Sequence, residues 1–366
     1  MMHGKLKGLA LLTAVSLLVA GCSLQGSAET QETIVINEDV QLESSLMDSS
    51  LDVSRQQDIE VGRKIAYTGI SRESNDNRLY FNEKGKLHSL DLKTGEEKEL
   101  VKQEAFDISE NRGWAMSYAD GEIFIHHLNN GEMQLLGNGS PEDSTFIGDE
   151  VAHFDYTTHL LSLMNMEKDE TVTWDLSNYP DATISSIKKG KDDIYLAARS
   201  EKEGFSIYQL GSQGKVTPVV NLEGKDTSFN EFDVLQNGSV IFNGDYDGKT
   251  GIFYWNQETK DVQQLVAGGK SEEGIWTPFY NLSPDESKLL YDTPVQIEDK
   301  FKANVYMAEL MDGQLSNSVR IMENADLYSV ITYSGDWSED SNTAYIMTSK
   351  DDHKHVGDIA VFKVND

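Results

Sequence analysis

Short apolar runs separated by turns make up the chain from about Arg63 to Asp366. The runs are four to seven residues long and rich in Ile, Val, Tyr and Phe, and the turns between them are rich in Gly, Asn, Asp and Ser. Runs of this length and composition are typical of β-strands. Because no long amphipathic helix interrupts them, the pattern predicts an all-β domain of many short strands.

The strands recur as one repeated unit, in which three strands are joined by two turns. Six copies occupy residues 79–100, 113–136, 151–174, 193–220, 239–266 and 288–321. Their final turns lie near Gly95, Gly131, Asp169, Gly214, Lys260 and Gly313. A further short run precedes most copies and completes a four-stranded unit. Since such units cannot bury their faces alone, radial stacking is expected, and we predict a β-propeller with seven blades, or alternatively six.

Closure of the predicted ring depends on the two ends of the chain. The last unit, residues 343–366, stops after its third strand. Propellers often close when one terminus supplies the strand that the other lacks, and residues 34–37, within the segment TIVIN, are the candidate. Otherwise residues 22–58 are polar and predict a flexible tether with a reach of about 30–36 Å. The propeller domain is then expected to span residues 59–366.

Two phrases of the repeat resemble the TolB-type propeller repeat. They are NLSPDESKLLYDT, residues 281–293, and LHSLDLKTGEEKEL, residues 87–100. In that family a Ser-Pro-Asp turn separates the first two strands of a blade, and a TGE turn separates the last two. The resemblance implies the architecture but no particular activity.

The start of the chain has the sequence pattern of an export signal. Lys5 and Lys7 precede the apolar run LALLTAVSLLVA, which is too short to be a comfortable membrane span. The run leads into Val-Ala-Gly-Cys, which resembles the lipobox of bacterial lipoproteins. Together with the propeller repeats, this motif makes the whole chain resemble the YqgU-like lipoproteins of Gram-positive bacteria. The resemblance implies a signal peptide over residues 1–21, cleavage between Gly21 and Cys22, and a lipid on Cys22, the single cysteine. We therefore expect a chain anchored in the cell membrane on its extracytoplasmic side.

Charge restricts the partners of such a chain. The formal net charge is −31, with 62 acidic and 31 basic residues. A field of this sign repels nucleic acid and anionic lipid headgroups. Cationic peptides, basic protein faces and Ca²⁺ are the partners that electrostatics favours.

Sequence motifs for catalysis are missing. The chain has neither the GxSxG elbow of serine hydrolases nor the HExxH motif of zinc proteases. GDYDGKT, residues 244–250, is one residue too short between its glycines for a phosphate loop. Asn243, Asp245 and Asp247 alternate like calcium-loop ligands, but position twelve is Tyr254 rather than an acid, so a hairpin turn is the favoured alternative. DDHKH, residues 351–355, lacks a visible third metal-binding partner. The sequence therefore predicts no metal site and no cofactor, with Ca²⁺ at Asn243, Asp245 and Asp247 as the alternative.

A binding surface on the propeller remains the best functional prediction. Aromatic residues dominate contact energies at interfaces. The candidates near the last two repeats are Trp276, Tyr280, Tyr333, Asp336 and Trp337; packing between blades is the alternative role for the four aromatic residues. We predict a non-enzymatic binding or scaffolding module for a protein or another component of the cell envelope. The alternative is an envelope enzyme that acts on a glycan or peptide with acidic residues at the channel.

Overall fold

A computed structural model describes most of the repeat region. The described residues are 51–60, 68–70, 78–109, 113–168, 170–177, 183–191, 193–200, 204–211, 215–222, 229–271, 274–297, 300–326, 335–349 and 356–365. The chain divides into two units, Met1–Glu32 and Thr33–Asp366, and all described residues belong to the second. Cys22 and Gly21 lie outside the described residues.

The described part of the chain forms seven antiparallel four-stranded blades. Blade 1 contains β2 (Thr68–Ile70), β3 (Arg78–Glu83), β4 (Lys86–Asp91) and β5 (Glu97–Val101). Blade 2 contains β6 (Ala105–Ile108), β7 (Trp114–Ala119), β8 (Glu122–His127) and β9 (Met133–Asn138). Blade 3 contains β10 (Ser144–Ile147), β11 (Glu150–Asp155), β12 (Leu160–Asn165) and β13 (Glu170–Asp175). Blade 4 contains β14 (Thr183–Lys189), β15 (Ile194–Ser200), β16 (Gly204–Leu210) and β17 (Val216–Leu222).

The remaining blades follow the same order, except that the last one uses both ends of the repeat region. Blade 5 contains β18 (Phe229–Val234), β19 (Val240–Tyr246), β20 (Lys249–Trp255) and β21 (Val262–Ala267). A two-stranded ribbon, β22 (Gly269–Ser271) and β23 (Gly274–Trp276), precedes blade 6. Blade 6 contains β24 (Tyr280–Leu282), β25 (Lys288–Ile297), β26 (Lys300–Met311) and β27 (Gln314–Ala325). Blade 7 contains β28 (Gly335–Trp337), β29 (Thr343–Ser349), β30 (Val356–Val364) and β1 (Val53–Glu60).

This architecture confirms the predicted all-β propeller and its seven blades. Among the described residues, the single helical segment is the short 3₁₀ turn Pro141–Asp143. The first strands of neighbouring blades contact one another, as β10 does with β6 and β14, and β24 does with β28. The first strands therefore form the inner ring, and the fourth strands form the rim.

The closing strand differs from the predicted one. β1 pairs with β30 from Val53 opposite Val364 to Glu60 opposite Asp358, so an N-terminal strand does complete the last blade. That strand is Val53–Glu60 rather than residues 34–37, which lie outside the described residues. The folded domain therefore begins before residue 59. This strand could not be recognised from the sequence because it lies at the rim of the blade. Four of its successive residues, 55–58, are exposed, so buried and exposed positions do not alternate there.

The turns between the third and fourth strands lie where the repeats predict them. Gly95, Gly131, Lys260 and Gly313 all have a positive φ, whereas Asp169 and Gly214 lie outside the described residues. Gly313 is constrained twice, because its φ is 74° and a Cβ there would lie 2.3 Å from the ring of Tyr254. Turns that require this backbone conformation favour glycine, which explains why the repeat is visible in the sequence.

The hydrophobic core lies between adjacent blades. Each blade directs alternate side chains to its two neighbours, so that one cluster joins blades 4 and 5 and another joins blades 6 and 7. In the first of these clusters Phe242 and Phe253 are fully buried and stacked, with ring centroids 5.3 Å apart. Stability therefore depends on contacts that cross from blade to blade.

Candidate ligand groove and central charges

Two of the predicted ligand-face residues are buried in the core. Tyr280 is 6% exposed and donates its hydroxyl to the carbonyl oxygen of Ile241, at 3.1 Å. Trp337 is 1% exposed and donates Nε1 to the carbonyl oxygen of Asn281, at 3.2 Å. Burial raises the pKa of Tyr280 well above its ordinary value. Both side chains connect neighbouring blades, so the prediction that they face a ligand is wrong for these two residues.

The other three predicted ligand-face residues do not form an exposed site among the described residues. Asp336 is half-buried, and its Oδ1 accepts the backbone N–H of Trp337 at 2.8 Å. The side chain of Trp276 and the whole of Tyr333 lie outside what the structure describes. The described residues therefore do not assemble the five candidates into one surface.

The calcium candidates form a strand and a hairpin turn. Asn243 is 1% exposed, accepts the N–H of Glu231 through Oδ1 and donates Nδ2 to the carbonyl oxygen of Pro278, each at 2.9 Å. Asp245 accepts a hydrogen bond from the hydroxyl of Thr250. Asp247 lies in a two-residue turn with Gly248, where φ is 48° and 71° respectively. Asn243 therefore connects blade 5 to the segment that precedes blade 6, and Asp247 shapes a turn. Calcium binding stays a prediction.

We expect Asn243→Ala to lower the free energy of unfolding by about 1–3 kcal/mol, because it removes both hydrogen bonds that the buried amide makes to the backbone. Asp247→Gly, which keeps the turn conformation, should change it by less than about 0.5 kcal/mol. Chemical denaturation with and without CaCl₂ measures both effects. If Ca²⁺ raised the stability of the parent chain but not of the Asp247→Gly variant, calcium binding would be supported instead.

A groove of about 320 Å³ lies between blades 4 and 5. It is bounded by the two outer strands β17 and β21 and by the turn after β19. The lining residues are Val219, Val220, Asn221, Tyr246, Asp247, Trp255, Lys260 and Val262. The groove therefore combines apolar and aromatic side chains with a carboxylate, an amide and an ammonium group.

The walls of this groove are held by aromatic packing. Tyr246 packs against Phe242 and Phe253, with ring centroids 6.2 and 5.8 Å apart, and remains partly exposed. Lys260 places Nζ 4.7 Å from the ring centroid of Trp255, which is 3% exposed. A cation over the face of a tryptophan is attracted by the ring quadrupole. Asp247 and Asn221 are exposed to solvent.

The sequence identified Asp247 for another reason and did not identify the groove. Its walls come from β17 and β21, which are about forty residues apart along the chain, and no local motif joins them.

A charged cluster lies on the inner ring between blades 4 and 5, separate from the groove. Nζ of Lys188 in β14 is 3.1 Å from Oε1 of Glu231 and 3.3 Å from Oδ1 of Asp233, both in β18. Burial alone would lower the pKa of Lys188, but the two carboxylates more than offset this and raise it. Lys188 is therefore a permanent cation that connects two blades, and it is not suited to act as a base.

Asp292, in the second strand of blade 6, β25, has a carboxyl group whose pKa is raised. Desolvation by burial raises its pKa from 3.8 to about 7, although the N–H of Phe279 donates to Oδ1 at 3.0 Å. Because the folded chain binds this proton more tightly than the unfolded chain, the associated stability is present below about pH 4 and is lost as the pH rises through 7.

We expect Asp292→Asn to raise the melting temperature by about 3 °C at pH 8, and the gain to vanish near pH 4. Asp285→Asn is the control of opposite sign. Burial opposes ionisation of Asp285, but hydrogen bonds from Ser283 and Ser287 together with Lys288 lower its pKa to about 2. This second substitution should destabilise the chain at pH 8. Melting curves of both variants between pH 4 and 8 measure the effect, and a pH-independent gain for Asp292→Asn would contradict the assignment.

Comparisons with known proteins support the fold. No protein-family profile matches the chain, and no curated protein matches it. A chain in a solved structure described as "Crystal Structure of Mitotic Checkpoint Complex" has a TM-score of 0.53 and 11% sequence identity, covering 87% of this chain and 94% of that chain. The chain is a seven-bladed β-propeller. At this identity the likeness concerns the fold alone.

The described residues contain no helix that is both long and apolar enough to cross a membrane.

Proposed function

We propose that this propeller is a non-enzymatic binding module that a lipid on Cys22 anchors to the extracytoplasmic side of the cell membrane. The observation that carries the binding function is the groove between blades 4 and 5, with exposed polar side chains beside the partly exposed ring of Tyr246. The anchor rests on the sequence, namely the short apolar run followed by Val-Ala-Gly-Cys. A protein or another envelope component is the proposed ligand.

Ligand binding in the groove is tested by a thermal-shift screen of the full chain against envelope glycans and peptides. A ligand at 100 times its Kd adds about 2.7 kcal/mol to the free energy of unfolding, so a hit is visible. Tyr246→Ala should abolish the shift. Tyr156→Ala is the matched control, because Tyr156 also packs edge-on against a phenylalanine, Phe154, with ring centroids 4.6 Å apart. Tyr156 directly follows the second strand of blade 3, and Tyr246 ends the second strand of blade 5. Equal loss in both variants would contradict binding in the groove.

Turnover distinguishes the binding function from the alternative enzyme function. Product released from any envelope glycan or peptide by the purified chain would show an enzyme. A ligand that shifts the melting temperature and is recovered unchanged supports a binding module.

The anchor has a separate test in cells. Cys22→Ser should abolish labelling by a lipid precursor and leave an uncleaved chain, because the thiol is the proposed acceptor and cleavage depends on its modification. Ser23→Ala is the matched control and should be labelled normally. Unchanged labelling of Cys22→Ser would contradict the anchor without affecting the groove.

A further inference from the structure

The rim strand of blade 2, β9, has an open edge. β9 is the last strand of its sheet and pairs with β8 alone among the described strands. Its first three residues, Met133, Gln134 and Leu135, are all exposed, Met133 to 56% and Leu135 to 54%. An edge strand that exposes apolar side chains is a template for pairing with another chain.

The backbone of Met133 and Leu135 points to this open edge. The N–H of His127 donates to the carbonyl oxygen of Glu132 at 2.8 Å, so these two residues form a hydrogen-bonded pair of the β8–β9 ladder. Hydrogen-bonded and non-hydrogen-bonded pairs alternate along an antiparallel ladder. Met133 and Leu135 therefore belong to non-hydrogen-bonded pairs, and their N–H and C=O groups point away from β8. Those groups can pair with a further strand.

The other rim strands carry features that discourage such pairing. Charged side chains and proline are the usual protection of an edge strand. Examples are Arg55 in β1, Lys98 in β5, Glu170 in β13, Pro218 in β17 and Arg320 in β27. β21 has neither kind of residue, but only its second residue is exposed. Among the described rim strands, β9 therefore combines an exposed edge with a lack of protection.

The charge around β9 favours a basic partner. Residues 113–167, which include β7 to β12, contain nine acidic residues and no lysine or arginine. Desolvation lowers the pKa of His126 and of His153, so these two histidines add no positive charge at neutral pH. Such a field attracts a basic segment. Because each chain has a net charge of −31, it also opposes pairing with a second copy of the protein.

The side chains of β9 specify the pattern of such a segment. Successive side chains of a strand point to opposite faces of the sheet. Met133 and Leu135 therefore share one face of blade 2, and Glu132 and Gln134 share the other. A strand that pairs with this edge fits best when apolar residues lie beside the first pair and basic residues lie beside the acidic and polar pair.

We propose that the edge of β9 binds an extended segment of a partner protein in which apolar and basic residues alternate. The segment adds a fifth strand to blade 2 through main-chain hydrogen bonds to Met133 and Leu135. This site lies on blade 2, whereas the groove lies between blades 4 and 5, so neither binding function depends on the other.

A labelled peptide of alternating valine and arginine tests the proposal by fluorescence anisotropy with the full chain. We expect saturable binding at physiological salt. A peptide of alternating valine and glutamate should not bind, because its charge has the sign of the protein. The valine–arginine peptide methylated on its backbone nitrogens keeps its charge but loses its main-chain donors, so it should bind at least about tenfold more weakly.

Two proline substitutions locate the site. Met133→Pro removes an N–H that points to the open edge and keeps the hydrogen bonds between β8 and β9, so it should weaken binding at least about tenfold. Thr173→Pro is the matched control on the rim of blade 3. The N–H of Leu176 donates to the carbonyl oxygen of His159 at 2.8 Å, and the same alternation directs the N–H of Thr173 to the open edge of β13. This variant should bind within about twofold of the parent chain.

Circular dichroism establishes that both variants are folded, and the methylated peptide tests the parent chain without any substitution. The proposal is overturned if the valine–arginine peptide shows no saturable binding, if its methylated form binds equally well, or if Met133→Pro binds like the parent. Sedimentation of the parent chain tests the other occupant. A dimer that Met133→Pro converts to a monomer would show that a second copy covers β9, and it would also overturn the proposal.

Discussion

A chain from which residues 51–60 are deleted is expected to lose the cooperative unfolding of the closed propeller. These residues contain β1, which pairs with β30 along seven positions and forms the rim of blade 7. Leu51, 7% exposed, packs in the cluster that joins blades 6 and 7, and Ile59 packs in the cluster that joins blades 7 and 1. The deletion therefore weakens both interfaces of the closing blade and exposes an unpaired strand edge.

The expected loss is comparable to the total stability of a domain. Leu51→Ala alone should lower the free energy of unfolding by about 2–5 kcal/mol. Removal of the whole strand should exceed about 5 kcal/mol, within the 5–15 kcal/mol that holds a typical domain together. Calorimetry should show a broad or absent transition, and the exposed edge of β30 should promote aggregation.

A second deletion provides the control. Removing residues 29–48 shortens the polar segment that the sequence predicts to be a tether, and it also removes residues 34–37, the strand first expected to close the ring. This variant should melt within about 2 °C of the parent chain. The opposite ranking of the two deletions would contradict closure by β1.

The repeat unit was predictable because its turns are constrained. Gly95, Gly131 and Gly313 occupy positive-φ turns between the third and fourth strands, and this requirement leaves a regular mark in the sequence. Seven blades follow from counting these units and the incomplete last one. β1 was not predictable in the same way, because a rim strand buries little and residues 55–58 are all exposed.

The groove was harder to predict because it depends on the distance between two blades. It joins their outer strands, which no local pattern in the sequence brings together. Aromatic residues of the inner ring were misassigned for another reason. First strands such as β28 contain three residues, too few for an alternation of buried and exposed positions to be recognised.

Trp337→Ala is the second substitution with a large expected effect, and it decides between the two roles of this residue. Trp337 is among the largest fully buried side chains and packs with Leu290, Met307 and Phe362 across blades 6 and 7. Truncation of a buried tryptophan should lower the free energy of unfolding by about 3–5 kcal/mol.

Trp337→Phe separates packing from hydrogen bonding. It keeps an aromatic ring but removes the Nε1 donor to the carbonyl oxygen of Asn281, so a smaller loss of about 1–3 kcal/mol is expected. Met311→Ala is the surface control, because Met311 ends β26 in blade 6 and is 68% exposed. This substitution should change the free energy of unfolding by less than about 0.5 kcal/mol. If Trp337→Ala unfolded at the same denaturant concentration as the parent, Trp337 would be a surface residue after all. The expected order, alanine below phenylalanine below parent, instead places the aromatic residue of this first strand among the contacts that hold the ring closed.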